Sequence, residues 1–305
     1  MAATTLARAR NTVKRRFTPT WRYVFNLGPT LEHRRHPPVL GEAARAVLDR
    51  LRVDGAASTT LEELTGDATL LPRLQELARA LEAEQAERLE ERRRQMMDGT
   101  FPGHKDYVVF LLGRHPTIDP ESVLAQVALH GQLKGIADAY FGLRTAVADI
   151  NLWRTFASNR PPRSSQLWHR DLQQDHHVLK LFVHLEDVVE GGGPFSYALG
   201  THTRRQREPL PEARHDGMTL RSHDDELAEV VPRERWRAFT GPAGSVVFAD
   251  TIGYHRGGWA TTTPRLLYQA LYASQASTRD YQLRLPPGVD PKPWEKDLLL
   301  ARNGR

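Results

Sequence analysis

The 305-residue chain contains no cysteine, which excludes disulfides, thiolate zinc sites, iron-sulfur clusters and cysteine nucleophiles and leaves His, Asp and Glu as the strong metal ligands. With 40% hydrophobic residues it can bury a substantial core, yet its longest apolar runs, such as Val108 to Leu112, fall far short of the ~20 residues needed to cross a bilayer. Lys and Arg outnumber Asp and Glu, 42 against 37, and much of the excess precedes Glu32, the first acid in the chain.

Arg8, Arg10, Lys14, Arg15 and Arg16 lie in a basic arm, residues 1–36. A solvated terminus is the default reading, and an arm that meets nucleic acid or an anionic membrane is the sharper one. Arg15-Arg16-Phe17 has a superficial likeness to a twin-arginine export signal. However, Pro19, Arg22, Asn26 and Pro29 interrupt the stretch that would have to be apolar, so a cytoplasmic protein is expected.

Pro37-Pro38 marks a boundary, after which Ala44, Val47, Leu48 and Leu51 recur at helical spacing. Thr60 with Glu63 has the pattern of a capping box. Leu70, Leu74, Leu77, Leu81 and Leu89 predict one long helix reaching about Met97, packed on one side rather than forming a coiled coil. A strand over Tyr107 to Leu112 and helices over Pro120 to Leu129 and Leu133 to Phe141 follow, the last stopped by Gly142.

From Leu143 the texture changes to strands and turns. The domain expectation is therefore a helical region at 37–142 and a β-rich core at 143–305, with 37–305 as one compact domain. This segregation predicts an α+β, mainly β architecture, with helices on one face of a β-sandwich or barrel. Gly191-Gly192-Gly193 is a turn and not a phosphate-binding loop, because strand-like residues rather than a helix follow it.

His169 and Asp171, separated by one residue, point to the same side of a strand and can together grip a metal. In the strand from Val178 to Leu185, Leu179, Leu181, Val183 and Leu185 form a face suited to packing helices. The other face carries Lys180, which would need an anionic partner if buried and is otherwise a surface residue. A later polar stretch contains His255. Arg265, ten residues on, shares a strand face with Leu267, Gln269 and Leu271, and the interval allows a turn into a neighbouring strand.

Together these pieces resemble the phytanoyl-CoA dioxygenase-like branch of the iron(II)/2-oxoglutarate oxygenases. The resemblance is carried by S164-S165-Q166-L167-W168-H169-R170-D171, by L185-E186-D187-V188, by G193-P194-F195 with Y197-A198-L199-G200-T201-H202, and by F248-A249-D250-T251-I252-G253-Y254-H255-R256-G257-G258. It spans about residues 143 to 275.

The resemblance implies a double-stranded β-helix, a cupin-like jelly roll, with His169, Asp171 and His255 binding Fe(II) as a facial triad. Three coordination positions then stay open, two for 2-oxoglutarate and one for O2. It also implies that Arg265 pairs with the distal carboxylate of 2-oxoglutarate, which is converted to succinate and CO2. Lys180 then becomes a candidate pocket cation. Gln166, Thr251 and Trp259, with Trp168, flank the ligands as candidate lining residues, while Arg170 and Arg256 point away. A carboxylate at Asp171 favours hydroxylation over halogenation.

The expected substrate is a small molecule. A metal-binding or sensor protein without turnover, or an oxygenase associated with nucleic acid through the arm, are the alternatives. The segment from Thr203 to Arg237 is expected to hold a substrate-selecting lid.

Overall fold

The computed structural model describes residues 17–101, 103, 105–171, 175–203, 214–215, 220–277 and 283–300. Helical structure begins inside the basic arm, with a single turn at Thr18–Thr20 that continues as a π-helix, Trp21–Phe25. Helices α1 (Leu27–Arg35) and α2 (Glu42–Asp54) follow, and α2 buries Ala44, Val47, Leu48 and Leu51, as their spacing requires. Strand β1 (Ala56–Thr60) leads into α3 (Leu61–Thr65). There the Thr60 hydroxyl accepts from the Glu63 backbone N–H and the Glu63 carboxylate accepts from the Thr60 N–H, completing the capping box.

The long helix expected from Leu70 to Met97 is instead two, α4 (Leu70–Glu84) and α5 (Ala86–Asp98). Gln85 leaves helical geometry between them, and its side-chain amide donates to the Leu111 carbonyl at 3.0 Å. No Gly or Pro marks that break, so only the tertiary contact signals it. Strand β2 (Val108–Phe110) and helices α6 (Val123–Leu129) and α7 (Gly131–Phe141) complete the helical half, and Gly142 ends α7 in the left-handed region.

The β-rich half contains β3 (Ala146–Thr155), β4 (Leu179–His184), β5 (Phe195–Ala198), β6 (Arg214–His215) and β7 (Leu220–Arg221), then the short α8 (Asp224–Ala228). It ends with β8 (Trp236–Phe239), β9 (Ser245–Asp250), β10 (His255–Arg256) and β11 (Arg265–Ala273). The main sheet is antiparallel, six-stranded, in the order β1-β9-β4-β11-β3-β2, and a smaller sheet has the order β10-β5-β8. This mixture of helices and antiparallel sheets is the predicted class. The helical half also contributes both edge strands of the main sheet, β1 and β2.

Strand alternation divides the core into two layers. Leu179, Leu181, Val183 and Leu185 join Val246, Phe248, Leu266, Tyr268 and Tyr272 in one cluster with the helices. Phe182, Val247 and Leu267 face the other way and meet Phe195, Tyr197 and Phe239 of the smaller sheet. The helix layer is also tied on by hydrogen bonds, since the Tyr268 and Tyr272 hydroxyls donate to the Leu124 and Ala128 carbonyls of α6, each at 2.8 Å. Lys180 and Arg265 lie on the face away from the helices.

Candidate metal and cosubstrate site

The backbone brings His169 and His255 together as a hydrogen-bonded antiparallel pair. The His169 N–H donates to the His255 carbonyl at 2.9 Å, the reverse bond is 3.0 Å, and the Asp171 N–H donates to Thr251 at 2.8 Å. This ladder turns His169 and Asp171 to one side and Arg170 to the other, where its guanidinium donates to the Thr201 and Ile252 carbonyls. One ligand atom from each of His169, Asp171 and His255 lies within 4.8 Å of the others. Among the described residues no other trio of His, Asp or Glu has ligand atoms gathered in this way.

The donor set suits a divalent metal. The His169 Nδ1 lies 2.9 Å from the Leu167 carbonyl and the His255 Nδ1 lies 3.0 Å from the Gly253 carbonyl. A carbonyl can only accept, so each Nδ1 carries the proton and each Nε2 keeps its lone pair. Burial pushes the His169 imidazole well below its ordinary value, helped by His255 and Arg221. Burial brings His255 down to about 4, opposed by Asp171 and assisted by Lys180. Both rings are therefore neutral near pH 7, the form that binds metal.

Lys180 is buried, and its Nζ lies 2.6 Å from Oδ2 of Asp171, the oxygen that is 3.8 Å from Nε2 of His255. The surface reading of Lys180 is overturned: its ammonium faces the cluster and balances the carboxylate. His255 and Arg265 are not on neighbouring strands, as the ten-residue interval suggested. His255 belongs to β10 of the small sheet and Arg265 to β11 of the large one. The connection crosses between the sheets past Gly193, which has φ 67°. A Cβ built on Gly258 would lie 2.1 Å from the Gly193 carbonyl carbon, so this crossing admits no side chain there.

Arg265 is fully enclosed. It donates through Nη1 to the Gly193 carbonyl, its Nε has no hydrogen-bond partner, and no described carboxylate forms an ion pair with it. Burial draws its value down to about 10, which still leaves it charged at neutral pH. On the same face of the sheet three more buried polar atoms lack partners: Trp153 Nε1, His184 Nδ1 and Gln269 Nε2. Trp153 and His184 pair with Leu267 on either side, and Gln269 stands two residues further along β11. A buried cation on a sheet face that carries other unsatisfied polar groups, most of them donors, is complementary to a carboxylate. The sequence already set Gln269 on the Arg265 face, but the contributions of Trp153 and His184 needed the strand pairing.

The other candidate lining residues are placed as follows. The Gln166 side chain accepts from the Arg163 N–H, the Thr251 hydroxyl donates to the Val178 carbonyl, and Trp259 is exposed. Trp168 packs in a core with Trp236 and donates to Asp224, and Arg256 lies over its ring. Two further groups near the cluster were not anticipated. Tyr107 is buried, with its hydroxyl 2.5 Å from the Ser165 Oγ, and Arg221 is buried close enough to act on both imidazoles. Residues 204–213 and 216–219, inside the predicted lid, lie outside the described residues.

The family description "Phytanoyl-CoA dioxygenase (PhyH)" matches residues 72–265, more than half of the sequence. The chain belongs to the phytanoyl-CoA dioxygenase family. It is thus a non-haem iron- and 2-oxoglutarate-dependent oxygenase, as the motif around His169 implied.

Solved structures of the same fold include the carbocyclase SnoK from nogalamycin biosynthesis, with 19% identity, TM-score 0.51 and coverage of 87% of this chain and 94% of that one. The epimerase SnoN, solved with Fe3+, alpha-ketoglutarate and nogalamycin RO, has 18% identity and TM-score 0.50, covering 86% of this chain and 96% of its own. EctD from S. alaskensis, solved with 2-oxoglutarate and 5-hydroxyectoine, has 21% identity and TM-score 0.50, covering 88% and 86%. A search of curated protein sequences returned no match. Among the described residues no helix is long and apolar enough to cross a membrane.

Proposed function

We propose that this oxygenase hydroxylates a small molecule, with His169, Asp171 and His255 holding Fe(II) and Arg265 anchoring the distal carboxylate of 2-oxoglutarate. The observation that carries the assignment is the buried Arg265 guanidinium, which has no carboxylate partner among the described residues and shares its sheet face with three other unsatisfied polar groups. An isolated charge of this kind is costly to bury, and a ligand carboxylate offsets the cost. SnoN and EctD, solved with nogalamycin RO and 5-hydroxyectoine, and SnoK, from nogalamycin biosynthesis, support the substrate class.

When bound, iron, 2-oxoglutarate and O2 supply the oxidising chemistry: one oxygen atom goes to the substrate, the other to succinate, and CO2 leaves. The protein's own part is orientation and charge. Leu167 and Gly253 fix the two imidazole tautomers, so both Nε2 atoms are ready before a metal arrives. Lys180 pairs with the Asp171 carboxylate beside them and holds it in place. Arg265, buried at the start of β11, would hold the distal carboxylate of the cosubstrate.

We also read residues 37–305 as one functional unit, since β1 and β2 of the helical half pair directly with β9 and β3. Anaerobic titration of the Fe(II)-loaded protein with 2-oxoglutarate, followed by exposure to oxygen and assay of succinate, tests the assignment. Arg265→Ala is expected to weaken 2-oxoglutarate at least about a hundredfold with little change in metal affinity. Equal loss of both affinities would mean that Arg265 is structural. Cosubstrate binding without turnover would favour the sensor alternative.

A further inference from the structure

Three consecutive carbonyls in the turn after β9 each hold a different piece of the metal cluster. The Thr251 carbonyl accepts the Asp171 N–H at 2.8 Å, the Ile252 carbonyl accepts the Arg170 guanidinium, and the Gly253 carbonyl lies 3.0 Å from Nδ1 of His255. The backbone at one metal ligand and the ring of another therefore depend on the shape of residues 250–253.

That shape depends in turn on Asp250, the last residue of β9, which is fully buried. Its Oδ1 accepts from the Ile252 N–H at 3.4 Å, inside the turn, and from the Val178 N–H at 3.1 Å. The Val178 carbonyl accepts the Thr251 N–H at 2.8 Å, so Thr251 is held from both sides. The Asp250 carbonyl accepts from the Gly253 N–H at 3.1 Å and from the Tyr197 hydroxyl at 2.7 Å. Tyr197 also leaves no room for a side chain at position 253, where a Cβ would lie 2.0 Å from its hydroxyl oxygen.

The second carboxylate oxygen, Oδ2, accepts from the Tyr140 hydroxyl of α7 at 2.9 Å and lies 2.8 Å from Nδ1 of His177. Burial pushes the Asp250 carboxyl up, but the bonds from His177 and Val178 outweigh it and hold the group below its ordinary value. Asp250 is thus an ionised acceptor through both oxygens, one turned to the turn that carries the ligands and one to the helical layer.

We propose that Asp250 is a positioning residue for the metal centre: by fixing the turn at 251–253 it sets where Asp171 and His255 present their ligand atoms. The inference rests on the assignment of His169, Asp171 and His255 as the metal ligands.

The test is titration of the metal-free full-length protein with Co(II), followed by visible absorption, which reports ligand geometry as well as affinity. Asp250→Ala should lower Co(II) affinity at least about tenfold and change the spectrum. Asp250→Asn keeps an oxygen for the Val178 and Ile252 N–H groups and can donate to Tyr140 and His177, so it should stay within about threefold of the wild type with the same spectrum. Folded Asp250→Ala with wild-type affinity and spectrum would overturn the proposal. So would Asp250→Asn losing as much as Asp250→Ala, because the loss would then follow the charge and not the turn. If Asp250→Ala does not fold, Tyr197→Phe decides, since it removes the hydroxyl bonded to the Asp250 carbonyl. A changed spectrum with affinity at least about threefold weaker supports the proposal, and wild-type values overturn it. Wild-type protein that binds no Co(II) would overturn the metal assignment itself and this inference with it.

Discussion

The two faces of the main sheet are built from alternate residues of the same strands and have opposite characters. Toward the helices, β4 presents Leu179, Leu181 and Val183, and β11 presents Leu266, Tyr268, Ala270 and Tyr272, with both tyrosine hydroxyls satisfied by α6. Toward the smaller sheet the same strands present Lys180, His184, Arg265 and Gln269, three of them with buried atoms that lack hydrogen-bond partners. Each unsatisfied group costs roughly 1–3 kcal/mol. The helix-side face offsets that cost by burying side chains worth about 1.5–3 kcal/mol each. Stability and function are thus separated by one step along the strand.

The sharpest way to break this contrast is a matched pair of substitutions. His255→Ala should abolish metal-dependent turnover, at least about a hundredfold by succinate assay, with the fold retained. Leu181→Ala, on the helix side, should cost about 2–5 kcal/mol in urea unfolding and leave turnover per folded molecule unchanged. If Leu181→Ala destroyed turnover in the folded protein, the two faces would not be separable.

Lys180 tests the boundary between them. Lys180→Met removes the partner of a largely buried carboxylate and is expected to destabilise the metal-free protein by about 2–4 kcal/mol. A divalent metal should restore most of that loss by replacing the missing charge, so thermal shifts on metal addition should exceed those of the wild type.

The pH dependence sharpens the picture on the inner face. Burial, reinforced by Arg265, holds His184 down at about 4 against an ordinary 6.5. The unfolded chain therefore takes up this proton first. The contribution of His184 is intact above about pH 6.5 and is lost as pH falls from there toward 4, by on the order of 3 kcal/mol. Chemical unfolding of the metal-free protein across that range should show the slope, and His184→Asn should flatten it. The smallest effect belongs to the satisfied face, where Tyr272→Phe leaves the Ala128 carbonyl without its donor and should cost about 1 kcal/mol in the same assay.

Much of this was legible in the sequence because it depends on local physics. The capping box at Thr60 and Glu63, the stop at Gly142, the two faces of β4 and the common direction of His169 and Asp171 follow from residue type and period. The break at Gln85 was not legible, because its cause is the Leu111 carbonyl, 26 residues away. Strand β1 was also hidden: Ala56 to Thr60 has no strand alternation and is a strand only because β9 pairs with it.

The sequence by itself made the reaction class legible through its resemblance to the phytanoyl-CoA dioxygenase-like oxygenases, carried by His169, Asp171, His255, Arg265 and the residues around them, while residue type and period alone gave only a pair of possible metal ligands. Only the tertiary structure decided which polar residues surround the site. Strand pairing, which links residues far apart in the chain, put Lys180 on Asp171, took His255 and Arg265 onto different sheets, and set Trp153, His184 and Gln269 on the sheet face that carries the guanidinium. Hydrogen-bond satisfaction is a property of those neighbours and not of the residues alone, so the anion pocket appears only once the strands are paired.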